Sequence, residues 1–272
     1  MRNMQKKNDY FEYAKTLSNQ YSTFLSNEAV KHKVLNIFNG QIPLDQFNSD
    51  LKPREFLNAF LLHHYPNETT IKSTFVNKVL FKTSNHVSIF ELNVGKSRLD
   101  LCKINANSTA FEIKTELDTP KRLKQQMENY FRVFEKVYLI CSVNNIKNML
   151  PFIPNECGIY TYHITKTGKY IFKKNRLAVK SSYISPAAQL SVLTKKDLNS
   201  FFGCPNLETK DSMIDSIINN KTNKDINKIF KQSLKIKYRY KWEFLVKNSS
   251  DILEIDYQWF FRNTLSPEIV YL

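Results

Sequence analysis

The sequence predicts an α/β (α+β) protein, a three-layer core with a mixed central sheet, flanked by N- and C-terminal helical regions. Three observations predict it. Short alternating strands follow one another at hairpin spacing between His86 and Thr115. A helix opened by Thr119-Pro120 then leads into the wholly apolar run Val137-Tyr-Leu-Ile-Cys141, as expected of a crossover into a buried central strand. The segments before Pro66 and after Tyr183 carry helical periodicity instead.

The elements follow in order. Tyr10, Phe11, Tyr13, Leu17, Tyr21 and Phe24-Leu25 form a helical stripe, and Val34 to Phe38 ends at the helix stop Asn39-Gly40. Arg54 to Leu62 continues the helical pattern up to Tyr65-Pro66. His63-His64 reads as a packing or surface pair, since adjacent helical residues do not face one another. A new unit begins at Pro66, where Asn67 opens a helix with apolar positions Ile71, Phe75, Val76, Val79 and Leu80. Strands are expected at 86–94, 98–104 and 110–115, a helix from Thr119 to about Phe134, a strand at 136–141, and a hairpin pairing 158–163 with 169–173. Ser185-Pro186 and Thr194 each open a further helix, the second stopping at Gly203. Residues 1–65 are thus a helical region, 66–180 the core and 181–272 a mainly helical region.

Composition narrows the function classes. The chain has 272 residues, 42% of them hydrophobic, and 40 Lys+Arg against 25 Asp+Glu, giving a net charge of +15. That surplus favours a polyanionic partner, nucleic acid first, although lysine used simply to solvate a surface looks the same in a sequence. Between Asn219 and Lys247 lysines alternate with rings, which suits either a nucleic-acid surface or an amphipathic helix with its rings inward. The four cysteines, Cys102, Cys141, Cys157 and Cys204, are scattered without zinc spacing. No run is long and apolar enough for a membrane span and no apolar leader opens the chain, so a cytoplasmic location is expected. Five glycines and no Walker-type loop leave little with which to cradle a nucleotide.

The chemistry concentrates in Ser-Arg98-Leu-Asp100, Phe-Glu112-Ile-Lys114 and Gln126-Met-Glu-Asn-Tyr130. Alternation sets Arg98, Asp100 and Cys102 on one strand face, and Glu112 with Lys114 on another; register decides whether the two faces coincide. A carboxylate inside an apolar strand needs compensation, and Mg²⁺ or Mn²⁺ held by Asp100, Glu112 and the Ile113 carbonyl would provide it. Lys114 beside the cation would orient or deprotonate water and offset phosphate charge. A Glu-x-Lys tripeptide alone reads equally well as a solvent-facing couple on an amphipathic strand.

In order and spacing these residues resemble the PD-(D/E)xK nuclease superfamily, the restriction-endonuclease-like fold, in its RecB-type QxxxY branch. Within that branch the likeness is greatest to the bacterial Sce-type proteins, whose core Glu91, Gly95, Arg98-Leu-Asp100-Leu101, Glu112-Ile-Lys114, Asp118-Thr119 and Gln126 to Phe134 match. It covers about residues 66–143, and Leu99 stands where the superfamily name has proline. The resemblance implies a metal-dependent deoxyribonuclease with Asp100, Glu112, Lys114, Gln126 and Tyr130 as catalytic residues. Asp100, Glu112 and the Ile113 carbonyl would hold Mg²⁺ or Mn²⁺, joined by Glu91 and, as a weaker candidate, Glu68. Gln126 and Tyr130, four apart on one helical face, would orient lysine, water or the DNA backbone; packing of that face on the sheet is the plainer alternative. Arg98, Lys121, Arg122 and Lys124 would contact phosphates. DNA is the expected partner, in phage defence, a mobile element or repair. Double-strand cutting would call for a homodimer or two visits by one chain. A module that keeps the fold without turnover, and a nuclease acting on RNA or junctions, are the alternatives.

Overall fold

A computed structural model describes residues 2–39 and 52–271. Gly40, half of the expected helix stop, lies outside the described residues. By compactness the chain divides into a unit of residues 1–82, 164–171 and 244–272 and a unit of residues 83–163 and 172–243.

The first unit is helical. Helices α1 (Arg2–Gln20), α2 (Asn27–Ile37) and α3 (Pro53–His64) meet around Ala14, Leu17, Val30, Val34, Phe56, Leu57, Phe60 and Leu61. Ser26 caps α2 by accepting the Ala29 N–H at 3.1 Å, and Asn67 caps α4 (Glu68–Phe75) by accepting that of Thr70 at 2.9 Å. Beyond α4 the helix widens into a π turn over Val76–Leu80, which buries Val76 and Leu80 and leaves Val79 half-buried. One expectation fails here: the His63 and His64 rings stack 4.3 Å apart with planes only 4° off parallel. They sit in the last turn of α3, where Tyr10 and Phe60 pack on His64 at 5.1 and 4.7 Å and draw it to one side. The role is packing all the same.

The second unit is built on β1 (Val87–Val94), β2 (Ser97–Ile104), β3 (Ser108–Lys114), β4 (Lys136–Ser142), β5 (Gly158–Ile164) and β6 (Tyr170–Arg176), whose first residues belong to the other unit. They form one six-stranded mixed sheet in the order β1-β2-β3-β4-β5-β6. The first three are antiparallel neighbours, while β3, β4 and β5 are parallel. Every residue of β3 is buried, as is all of β4 after Lys136, which fits strands covered on both faces. The crossover helix α5 (Leu123–Phe131) packs on β2 and β4, and the short α6 (Ile146–Met149) precedes β5. Downstream come α7 (Pro186–Val192), α8 (Lys195–Phe202), α9 (Lys210–Asn220) and α10 (Asn223–Lys247), and in the first unit α11 (Tyr257–Asn263) and α12 (Pro267–Val270). A mixed α/β sheet flanked by helices is the fold class the sequence predicts.

Helix α5 differs from expectation at both ends. Thr119 makes no side-chain cap, because Pro120 opens a 3-10 turn through Arg122 and the α-helix starts at Leu123. It stops at Phe131 and not Phe134, because its last carbonyls are taken from outside. Ser181 Oγ donates to the Phe131 carbonyl at 2.6 Å, the Ser185 N–H to that of Arg132 at 2.8 Å, and Gln189 Nε2 to that of Val133 at 3.0 Å. Along α10, Phe230, Leu234 and Trp242 are buried while Lys228, Arg239 and Tyr240 stay exposed, so the lysine-and-ring stretch is an amphipathic helix with one ring left outside.

Candidate active site

The site forms where the β2–β3 ladder ends. Regular pairing runs from Ile104↔Ser108 to Leu101↔Phe111, and one more step sets Asp100 across from Glu112, so the two carboxylates share a face. Asp100 replaces the next rung of the ladder: its Oδ2 accepts the Ile113 N–H at 2.7 Å. On the other side, Phe90↔Leu101 and Leu92↔Leu99 set Glu91 opposite Asp100. Glu91 has a left-handed backbone, φ 55°, in mid-strand, a conformation that costs a non-glycine residue about 1–3 kcal/mol. The outcome is that a carboxylate oxygen of Glu91 lies within 4.8 Å of one of Asp100. Glu91 also pairs with Arg98 Nε at 2.5 Å, and Arg98 leaves 64% of its side chain in solvent.

Glu112 is the hub. Buried to 1%, it accepts Lys114 Nζ at 2.6 Å and Gln126 Nε2 at 2.6 Å on Oε1, and the Tyr130 hydroxyl at 2.9 Å on Oε2. The Tyr130 oxygen also lies 3.0 Å from the Arg98 carbonyl, so its single proton is shared between two acceptors. Spacing explains the meeting: Gln126 and Tyr130 share one face of α5, which rests on the sheet. The two readings of that face are therefore compatible, for Tyr130 is both fully buried and bonded to Glu112.

Electrostatics fixes protonation. Burial pulls the Lys114 pKa down, but the Glu112 carboxylate with its hydrogen bond, helped by Asp100 and Asp118, outweighs burial and holds it above the ordinary lysine value. Lys114 is an ammonium. Burial, then the charges of Glu112 and Asp100, push the Tyr130 phenol far up, so it remains a donor.

Lys121, Arg122 and Lys124 stand exposed at the start of α5. Glu68, in the other unit, accepts Lys72 Nζ at 2.9 Å. All four cysteines are free and buried, and burial raises Cys141 and Cys157 to about 12. Sequence reasoning missed the clamp behind Lys114. Asp118 Oδ2 accepts both the N–H and the hydroxyl of Thr115 at 2.8 Å, and Asn145 Nδ2 donates to the Thr115 carbonyl at 2.8 Å. Ser142 Oγ and Asn144 Nδ2 hold Glu116 at 2.6 and 3.0 Å. The available signal was the polar cluster Ser142 to Asn145 directly after a central strand, where connections carry binding residues.

Comparison with known proteins adds a family. The profile of the family described as bacteriophage P4 protein cII matches residues 63–257, well over half of the chain. The chain belongs to that family. The match to bacteriophage P4 protein cII includes the whole sheet and each residue of the site. No curated protein matches the chain. Among solved structures, a protein of unknown function from Silicibacter pomeroyi is 18% identical over 38% of this chain and 66% of its own, with a TM-score of 0.28. SfsA of Pyrococcus furiosus, solved with Ca²⁺, is 14% identical over 40% of this chain and 62% of its own, with a TM-score of 0.27. The matches thus span just under two thirds of either structure, at scores too low to argue from.

The donor set fits a hard divalent cation. Glu91 and Asp100 present carboxylate oxygens within one coordination sphere's reach, both side chains are almost wholly buried, and two buried like charges repel unless a cation lies between them. Among the described residues no helix is long and apolar enough to cross a membrane.

Proposed function

We propose that this member of the bacteriophage P4 protein cII family is a Mg²⁺- or Mn²⁺-dependent nuclease of the PD-(D/E)xK type, acting on DNA. One observation carries the reading. Strand β3 and helix α5 deliver a lysine ammonium, an amide and a phenol to one carboxylate, Glu112, beside a pair of crowded carboxylates, Asp100 and Glu91, from the two neighbouring strands. The phage family and the surplus of positive charge agree with nucleic acid as substrate.

Asp100, Glu112 and Glu91 would hold the metal, with the Ile113 carbonyl alongside. When bound, the ion polarises a phosphate oxygen and lowers the pKa of a water. The protein residues do the rest. Lys114, held protonated, offsets charge gathering on the phosphate and can pass a proton to the leaving oxygen. Gln126 and Tyr130 fix the Glu112 carboxylate, and through it the Lys114 ammonium, so no reorganisation is needed as charge develops. Arg98, Lys121, Arg122 and Lys124, all exposed, would meet phosphates flanking the scissile one.

The test is nicking of supercoiled plasmid and degradation of single-stranded DNA with Mg²⁺ or Mn²⁺, for the wild type, Asp100→Ala and Lys114→Ala. Loss in both variants supports the assignment, and equal activity in all three overturns it. A second reading is favoured by the donors already crowded onto Glu112, which suit a fold retained for binding without turnover. Steeply salt-dependent DNA binding, no cleavage with any divalent ion and no effect of Glu112→Gln would select it. An RNA and junction panel separates the remaining substrates.

A further inference from the structure

Beside the site, among β1, α5, α7 and α9, opens a cleft of about 370 Å³. Val94, Val133, Ala187, Ala188 and Ile214 give it apolar walls, while Arg132, Asp211 and Asp215 bring charge to it. Among the described residues none of these three forms an ion pair, although acid and base line one small space. Asp211 and Asp215 are four apart on α9 and so face the same way. The cleft also continues from the site. Asn129 on α5 and Arg132 just past its end lie on either side of Tyr130 in the chain, and Asn129 Nδ2 donates to Ser97 Oγ at 2.8 Å, next to the Arg98 that pairs with Glu91.

We propose that the cleft receives one unstacked nucleobase of the strand engaged at the Asp100–Glu112 site, and selects bases bearing an exocyclic amino group over thymine. The inference rests on the nuclease reading. An apolar slot of this volume suits a flat ring, and volumes of about 300 Å³ upward are usual for small-ligand pockets. Carboxylates accept from the amino groups of cytosine and adenine, whereas thymine has no amino group and its single N3–H lies between two carbonyl oxygens that a pair of carboxylates repels. The same carboxylates repel phosphate, so a strand can insert a base here but cannot lay its backbone across. Arg132 supplies the donor that a base carbonyl, a ring nitrogen or the neighbouring phosphate needs.

The test uses the full chain in EDTA, where metal-dependent cutting is off, and reads fluorescence anisotropy with labelled single-stranded dT12, dA12, dC12 and an abasic 12-mer. The expected result is dA12 or dC12 binding about tenfold tighter than dT12, the size of one good base contact. Ala187→Trp, which fills the cleft from an exposed position, and Asp215→Asn should each erase that preference and leave dT12 affinity unchanged, with thermal unfolding confirming that both fold. Equal binding of all four strands overturns the inference, as does a preference that survives both variants. Cleavage in Mg²⁺ is scored separately. Cleavage without base preference sinks the cleft alone, preference without cleavage sinks the nuclease reading alone, and a chain that neither cuts nor binds sinks both.

Discussion

Two buried carboxylate networks, one in each unit, answer the same problem differently. Asp256 is 2% exposed and accepts Tyr21 and Tyr271 hydroxyls at 2.7 and 2.8 Å on Oδ2 and Thr23 Oγ1 at 2.8 Å on Oδ1. Arg54 stands behind, its guanidinium 4.8 Å over the Tyr271 ring and its Nη1 3.3 Å from the Tyr21 hydroxyl. One charge is dispersed over three hydroxyls. At the other network Glu112 is met by an ammonium, and Asp100 is crowded by Glu91 to within 4.8 Å. The first arrangement satisfies a charge; the second concentrates charge at the expense of a left-handed residue in a strand. Like charge concentrated beside a buried ammonium marks the place where chemistry is expected.

The sharpest break between the two is mutational. Asp100→Ala or Lys114→Ala should lower cleavage about 10³-fold, within the range of lost acid–base and charge-stabilising groups. Asp100→Ala should leave the urea midpoint near that of the wild type, because removing Asp100 also relieves repulsion with Glu91, whereas Lys114→Ala also costs stability by leaving buried Glu112 without its cation. Asp256→Ala should do the reverse, costing about 3–5 kcal/mol in chemical denaturation by stranding a buried arginine and three donors. At low temperature, where the variant stays folded, its cleavage should be unchanged. A destabilised Asp100→Ala with wild-type activity would erase the distinction.

The two networks also differ in how far they could be read from sequence. The site lies between positions 91 and 130, on elements whose period-2 and period-3.6 patterns are strong, so those patterns alone put Asp100, Glu112, Lys114, Gln126 and Tyr130 on faces. Register needed only the hairpin turns. The φ of Glu91 could not be read, since nothing in Phe-Glu-Leu announces a left-handed residue. Nor could the early end of α5, decided by Ser181, Ser185 and Gln189 some fifty residues on. The Asp256 network is the extreme case: Tyr21, Thr23, Arg54 and Tyr271 are ordinary residues 15 to 235 positions away in sequence, with no local period to connect them. Local pattern reveals secondary structure and its faces, and long-range polar pairing is settled only by tertiary packing.

A paired removal of hydroxyls sharpens the contrast at smaller amplitude. Tyr130→Phe keeps the buried ring and removes one of three donors to Glu112, leaving Lys114 and Gln126 in place. Cleavage should fall roughly tenfold and stability by about 1 kcal/mol, the usual net worth of one hydrogen bond. Tyr21→Phe should cost about 1–2 kcal/mol, since it also takes a partner from buried Arg54, and should leave cleavage untouched. Loss of cleavage in Tyr21→Phe, assayed well below its melting temperature, would show that the dispersed network serves the reaction after all.

The smallest effects are in the pH dependence of stability, and the two networks should act at opposite ends of the scale. Burial raises the Asp256 pKa despite the opposing hydroxyl bonds and the Arg54 charge. Between its unfolded value of about 3.9 and that raised value, the native state binds a proton that the unfolded chain has released. Its contribution to stability must therefore fall as pH rises through this window, by at most about 1.4 kcal/mol per pH unit. Lys114 is raised as well, but as a cation its contribution is complete below the unfolded value of about 10.4 and disappears as pH climbs through the folded one. Urea midpoints across a pH series should show the advantage of wild type over Asp256→Asn shrinking as pH rises through the acid window and staying level above it. The gap to Lys114→Gln should hold level until the alkaline end and close there. A gap for Asp256→Asn that widens in favour of aspartate with rising pH would mean that the hydroxyls and Arg54 outweigh burial, making the two networks electrostatically alike.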